Sequence, residues 1–137
     1  MFQFGRTGYL CKSRQSKLSR QVHEFFISSG LTLSAAESCT GGLVSSYITD
    51  SEGASNFFKG GIVCYWTEAK IDILGVSPET IRLHGAVSSH AALEMAERVR
   101  SLFAADYSIS TLSNLGPTAI EGKEAVLVFI AVSKKEE

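Results

Sequence analysis

The chain has 137 residues, 45% hydrophobic and 20% charged, which fits one globular domain able to bury a core of its own. Its formal net charge of -1 excludes a polyelectrolyte and gives no general reason to bind nucleic acid or an acidic membrane surface. Three cysteines (Cys11, Cys39, Cys64) without C-x-x-C spacing, and three scattered histidines (His23, His84, His90), argue against zinc and for a reducing compartment.

Residues 1–15 show no clear period and are expected to form a loosely ordered arm ahead of a domain spanning 16–137. Arg6, Lys12, Arg14, Lys17 and Arg20 all precede the first acidic residue, Glu24, and such a terminus is most simply a solvated tail. Gly5, Arg6, Thr7 and Gly8 interrupt any apolar leader, and no segment reaches the length of a membrane span, so the expected location is cytoplasmic.

Leu18, Val22, Phe25 and Phe26 then share one helical face, and Ser29-Gly30 supplies the stop. Leu31 to Ala36 reads as a strand entering the turn Glu37-Ser38-Cys39-Thr40-Gly41-Gly42, and Leu43 to Thr49 as the helix after it. Gly60 to Trp66 is a strand rich in β-branched and aromatic residues. A short helix over 68–74 stops at Gly75, and Ser77-Pro78 starts another that ends at Gly85. Ser88 or Ser89 caps the longest helix, with Ala92, Met95, Ala96, Val99, Leu102 and Phe103 on one face. Asp106 to Leu112 and Ala125 to Val132 are strands; the second is apolar throughout, which predicts cover on both faces. Helices interleaved with strands predict an α/β layered domain with ligands at the carboxyl ends of the strands. The turn after Ala36 and the loop after Leu112 are two such ends.

The turn carries the chemistry. A hydroxyl- and glycine-rich connection between strand and helix can bind a phosphate, hold an oxyanion or present a nucleophile; equally, Ser38 or Thr40 caps the helix while Gly41 and Gly42 permit the bend. A serine needs a base to become a nucleophile, and a lysine serves once burial lowers its pKa. Lys70, among Ala69, Ile71, Ile73 and Leu74, is the candidate, set against the commoner fate of a surface lysine. Tyr65 can donate to a ligand or stack on a ring, or else pack in the core. Cys39 is read as a small buried residue, and Glu37 as orienting the turn or accepting from a ligand amide.

Taken together, Ala36-Glu37-Ser38-Cys39-Thr40-Gly41-Gly42, Gly53-Ala54-Ser55, Gly60-Gly61, Tyr65, Lys70, Leu74-Gly75-Val76 and His84-Gly85-Ala86-Val87-Ser88 resemble the CinA C-terminal (nicotinamide-nucleotide amidase) family over roughly residues 31–132. The resemblance implies a three-layer αβα sandwich and a homo-oligomer. It implies hydrolysis of nicotinamide mononucleotide to nicotinic acid mononucleotide and ammonia, with no metal or cofactor. Ser38 would be the nucleophile, Lys70 its base and Tyr65 an assisting group. Glu37, Cys39, Thr40, Gly41, Gly42, Ser113, Asn114 and Gly116 would line the substrate. The family's Thr-Gly-Ile-Ala-Gly-Pro-Gly-Gly loop stands here as Leu112 to Ala119, and its usual last strand and helix are not expected within these residues. Those departures keep a second expectation open: a non-catalytic relative that binds a nucleotide or a protein.

Overall fold

The computed structural model describes residues 17–114 and 127–136. The N-terminal arm, Gly116 and most of the 113–124 loop lie outside them. Ten elements follow in order: α1 (Lys17–Ser29), β1 (Leu33–Glu37), α2 (Leu43–Thr49), a 3-10 turn (Ala54–Asn56), β2 (Phe58–Val63), α3 (Thr67–Asp72), α4 (Pro78–His84), α5 (Ser89–Leu102), β3 (Tyr107–Asn114) and β4 (Leu127–Lys134). The sheet order is β2-β1-β3-β4, with β1 parallel to both neighbours and β4 antiparallel to β3. Helices on both faces complete an α/β domain.

Local chemistry fixes most boundaries. Ser77 caps α4 by accepting from the Glu79 amide, with Pro78 in the first helical position, where its missing N–H costs nothing. Ser88 caps α5 by accepting from the Ala91 amide. The strand expected to reach Trp66 ends at Val63, because the chain turns out toward α3; the Cys64 amide still donates to the Glu37 carbonyl at 2.8 Å.

The pleat sorts the sheet into two chemically different faces. Toward α5 it presents Ser34, Ala36, Ser108, Ser110 and Leu112. The three serine hydroxyls donate to α5 carbonyls: Ser34 to Val99 at 3.3 Å, Ser108 to Ala96 at 2.6 Å, and Ser110 to Ala92 at 2.6 Å. Small residues on both sides let helix and sheet approach closely: Ala91, Ala92 and Ala96 of α5 are fully buried with Met95 and Val99. Leu102, expected on that face, instead lies exposed at the end of the helix.

The opposite face holds a smaller aromatic core, in which Phe26 stacks on Phe57 at 5.4 Å and meets Tyr107 edge-on at 5.9 Å. Here the expectation of a doubly covered last strand fails. Phe129 and Ala131 pack toward α5, but Val128, Ile130 and Val132 point out on the side of α1 and α2, at 47%, 65% and 61% exposure. α2 lies over β1 and β2, and α1 reaches Tyr107 of β3 through Phe26, which leaves these three side chains open. A cavity of about 600 Å³ opens between α1 and the outer strands, lined by Leu18, Val22, Tyr47, Ile109 and Val132 among others. A continuous apolar run therefore reported strand, and not depth.

The two faces should differ sharply in sensitivity. Met95→Ala is expected to cost about 2–5 kcal/mol in urea denaturation, as a buried side chain whose site cannot collapse. Ile130→Thr, which keeps the β-branch on an open face, should cost under about 1 kcal/mol.

Candidate functional site

The carboxyl end of β1 delivers Glu37 and Ser38 together, and the pleat sends Glu37 to the α2 side. Its side chain is 1% exposed. The carboxylate accepts from Thr40 Oγ1 at 2.6 Å, the Gly42 amide at 3.1 Å, the Val44 amide at 2.9 Å, and both the amide and hydroxyl of Ser45 at 2.7 Å. Gly42 adopts φ of 102°, a left-handed conformation other residues rarely take, and this bends the chain back over the carboxylate. Gly61 of β2 lets the first turn of α2 sit directly on the sheet, since a Cβ there would stand 2.6 Å from Ser45 Oγ.

Glu37 and Thr111 are register partners on β1 and β3, so both face the same way. Thr111 Oγ1 lies 2.7 Å from Thr40 Oγ1. Because an ionised carboxylate can only accept, the Thr40 hydroxyl donates to Glu37 and the Thr111 hydroxyl donates to Thr40. The Ser38 amide also donates to the Thr111 carbonyl at 3.0 Å. The turn is thus tied to β3 twice.

This arrangement changes two expectations. Glu37 is turned onto its own loop, with its oxygens taken by five donors, and it does not face outward as a substrate contact. The first amides of α2 are taken too, so the helix start does not offer them to a phosphate or an oxyanion. Gly41 and Leu43 donate to the carbonyls of Ser38 and Thr40. Between Ser38 and Ser45, only the amides of Cys39 and Thr40 lack an acceptor among the described residues.

Ser38 is 4% exposed and Lys70 3%. Lys70 leaves α3 toward the protein interior, where its Nζ donates to the Tyr65 carbonyl at 2.9 Å and the Trp66 carbonyl at 3.5 Å. Burial pushes the amine below the ordinary lysine range, while the thiols of Cys64 and Cys39 and the carboxylate of Glu68 pull partly the other way. Burial likewise raises the Cys64 thiol, against the attraction of Lys70. The amine therefore lies within electrostatic reach of the residue after Ser38 and of the thiol that follows the neighbouring strand. It is not hydrogen-bonded to Ser38 Oγ.

The remaining sites divide. Cys39 is half-buried, and Tyr65 is 66% exposed beyond the end of β2, so it is not a core residue. Ser113 and Asn114 end β3; Ser113 Oγ is buried without a hydrogen-bond partner among the described residues, and Asn114 is 2% exposed. The histidines stand apart: His23 meets Phe57 edge-on, and His84 stacks on His90 at 3.7 Å. No group of three potential metal ligands occurs among the described residues. No described helix is long and apolar enough to cross a membrane.

The family model for the CinA C-terminal domain matches residues 15–137. A putative competence-damage inducible protein of Bacillus subtilis (strain 168) is 49% identical over 110 residues, covering 79% of this chain and 26% of that protein. A nicotinamide-nucleotide amidohydrolase PncC of Shewanella oneidensis is 39% identical over 122 residues, covering 88% and 29%. The chain thus spans under a third of the length of these curated relatives. Among solved structures, the competence damage-inducible protein A of Klebsiella pneumoniae superposes with a TM-score of 0.82 at 33% identity, covering 85% of this chain and 73% of its own.

The electrostatics of Glu37 give a pH test. Burial alone would raise its pKa, but the bonds from Thr40, Ser45 and Val44 together hold it below the ordinary carboxylate value. A depressed folded-state pKa contributes stability that is present above the unfolded value and lost as pH falls through the folded one. Glu37→Gln, whose amide nitrogen cannot accept, should cost about 1–3 kcal/mol at pH 7. It should also flatten the loss of stability on acidification below about pH 4.3, measured by urea denaturation across pH.

Proposed function

Because the chain belongs to the CinA C-terminal domain family, we propose that it forms the catalytic domain of an amidohydrolase. It would convert nicotinamide mononucleotide to nicotinic acid mononucleotide and ammonia. The observation that carries this reading is the state of Lys70: an amine buried to 3% exposure, depressed in pKa, and held by two backbone carbonyls in the field of the residue beside Ser38.

A neutral amine has two N–H groups and one lone pair. Donation to the Tyr65 and Trp66 carbonyls uses both hydrogens and leaves the lone pair for a proton. In this reading Lys70 takes the Ser38 hydroxyl proton as Oγ attacks the carboxamide carbon. The free amides of Cys39 and Thr40 donate to the developing oxyanion, in the position that follows a nucleophile directly. The Lys70 ammonium then protonates the leaving nitrogen, ammonia departs, and a water deprotonated by Lys70 cleaves the Ser38 ester. Tyr65, with its carbonyl on Lys70 and its ring at the surface, assists at the edge of the site. Ser38 Oγ and Lys70 Nζ are separated beyond hydrogen-bond distance in the free protein, and catalytic hydrogen bonds often tighten only in the substrate complex.

That same separation favours the second reading, a nucleotide-binding domain without turnover. Ammonia release from nicotinamide mononucleotide decides between them. Wild type should release ammonia, and Ser38→Ala should lose this activity with an unchanged circular dichroism spectrum. Lys70→Arg, whose guanidinium stays charged, should lose roughly 10²- to 10⁴-fold in kcat. Since the free base is required, kcat/KM should rise with pH through a value below that of ordinary lysine. Calorimetric binding of the nucleotide with no ammonia released by wild type would establish the non-catalytic reading instead.

A further inference from the structure

Thr111 grips the serine turn at two points. Its carbonyl accepts from the Ser38 amide at 3.0 Å, and its hydroxyl lies 2.7 Å from Thr40 Oγ1. Between these grips lie the amides of Cys39 and Thr40, the two without an acceptor among the described residues. Glu37 holds Thr40, Gly42, Val44 and Ser45 from the other side. Thr111 thus brackets the one stretch of the turn whose own N–H groups are unengaged.

The direction of the hydroxyl bonds gives this bracket its effect. Thr40 passes its hydrogen to Glu37, and the Thr111 hydrogen arrives on the same oxygen. A hydroxyl fixed by both a donor and an acceptor keeps one orientation, and in a β-branched residue with a stiff χ1 that also fixes the backbone bearing it. Thr111 is 4% exposed and faces the same way as Glu37, so it is placed to act through Thr40 and not on a substrate itself. A buried hydroxyl costs free energy unless it is bonded, and among the described residues its bond to Thr40 meets that cost. We propose that Thr111 is a positioning residue, whose hydroxyl holds Thr40 so that the Cys39 and Thr40 amides stay aligned on the oxyanion formed at Ser38. The assignment rests on the hydrolytic reading and adds a strand residue to it.

The test follows ammonia release from nicotinamide mononucleotide by the full chain as wild type, Thr111→Val and Thr111→Ser. Thr111→Val keeps the branched shape and should lower kcat roughly tenfold, less than the roughly 10²- to 10³-fold of deleting an oxyanion donor outright. KM should move by under about twofold, since the lost alignment matters in the transition state. The pH dependence of kcat/KM should stay at its wild-type position, because Lys70 is untouched. Thr111→Ser, which keeps the hydroxyl, should restore kcat to near the wild-type value. In a Thr40→Ala background Thr111→Val should cost kcat nothing further, whereas a merely structural loss within β3 would add. Urea denaturation confirms that each variant is folded; should Thr111→Val fail to fold, Thr111→Ala carries the same expectation. Wild-type kcat in Thr111→Val, an equal loss in Thr111→Ser, or an additive loss over Thr40→Ala would overturn the positioning role and leave hydrolysis standing. No ammonia from wild type would overturn both.

Discussion

A single buried carboxylate organises the carboxyl end of the sheet. Glu37 is the last residue of β1, and the charge it carries inward is tolerable because five donors converge on it. Those donors come from Thr40, Gly42, Val44 and Ser45, so meeting this one electrostatic demand determines the path of the turn and the seat of α2. Ser38 inherits its position from that solution. Through Thr40 the demand extends to Thr111, which joins the turn to the next strand. A helix start is usually a place where amides look for an anion; here the protein supplies its own, and the amides left over are the two that immediately follow the serine.

Against this satisfied anion stands a cation that is only partly satisfied. Lys70 is almost as buried as Glu37, yet its bonds are to two carbonyls and not to a carboxylate, with two thiols acting on it only through their field. The two buried groups are thereby pushed toward different protonation states, Glu37 toward charge and Lys70 away from it. In the proposed mechanism, that division is what lets Lys70 accept a proton from Ser38 while the turn around Glu37 keeps its own bonds.

Much of this was legible in the sequence where local chemistry decides. The Ser77-Pro78 start, the Gly85 stop, the Ser88 cap and the extent of α2 follow from capping and turn preferences that act within a few residues. The Glu37-Ser38 turn and Lys70 were each open to a bland reading, a capped helix start and a surface lysine, and stood out through the family motifs taken in order. What was not legible depends on partners distant in the chain. Nothing local reveals that Glu37 points inward, that Thr111 is its register neighbour, or that Trp66 stands outside β2 with its ring free. The last strand shows the same limit: Val128, Ile130 and Val132 are apolar whether or not a helix covers them, and only the positions of α1 and α2 decide.

The seam between α5 and the sheet has its own consequence. Alanines on the helix meet serines on the strands, and each hydroxyl reaches a carbonyl that α5 already uses internally. The gap is set by the two smallest polar and apolar side chains that can line it. Evolution can therefore vary this interface only downward in size or by paired exchange, and a bulkier residue at 92, 96, 108 or 110 would lever the longest helix off the strands that carry the Glu37–Ser38 turn. These four positions, at the sheet face opposite Glu37, fix the alignment of β1 and β3 on which that turn is mounted.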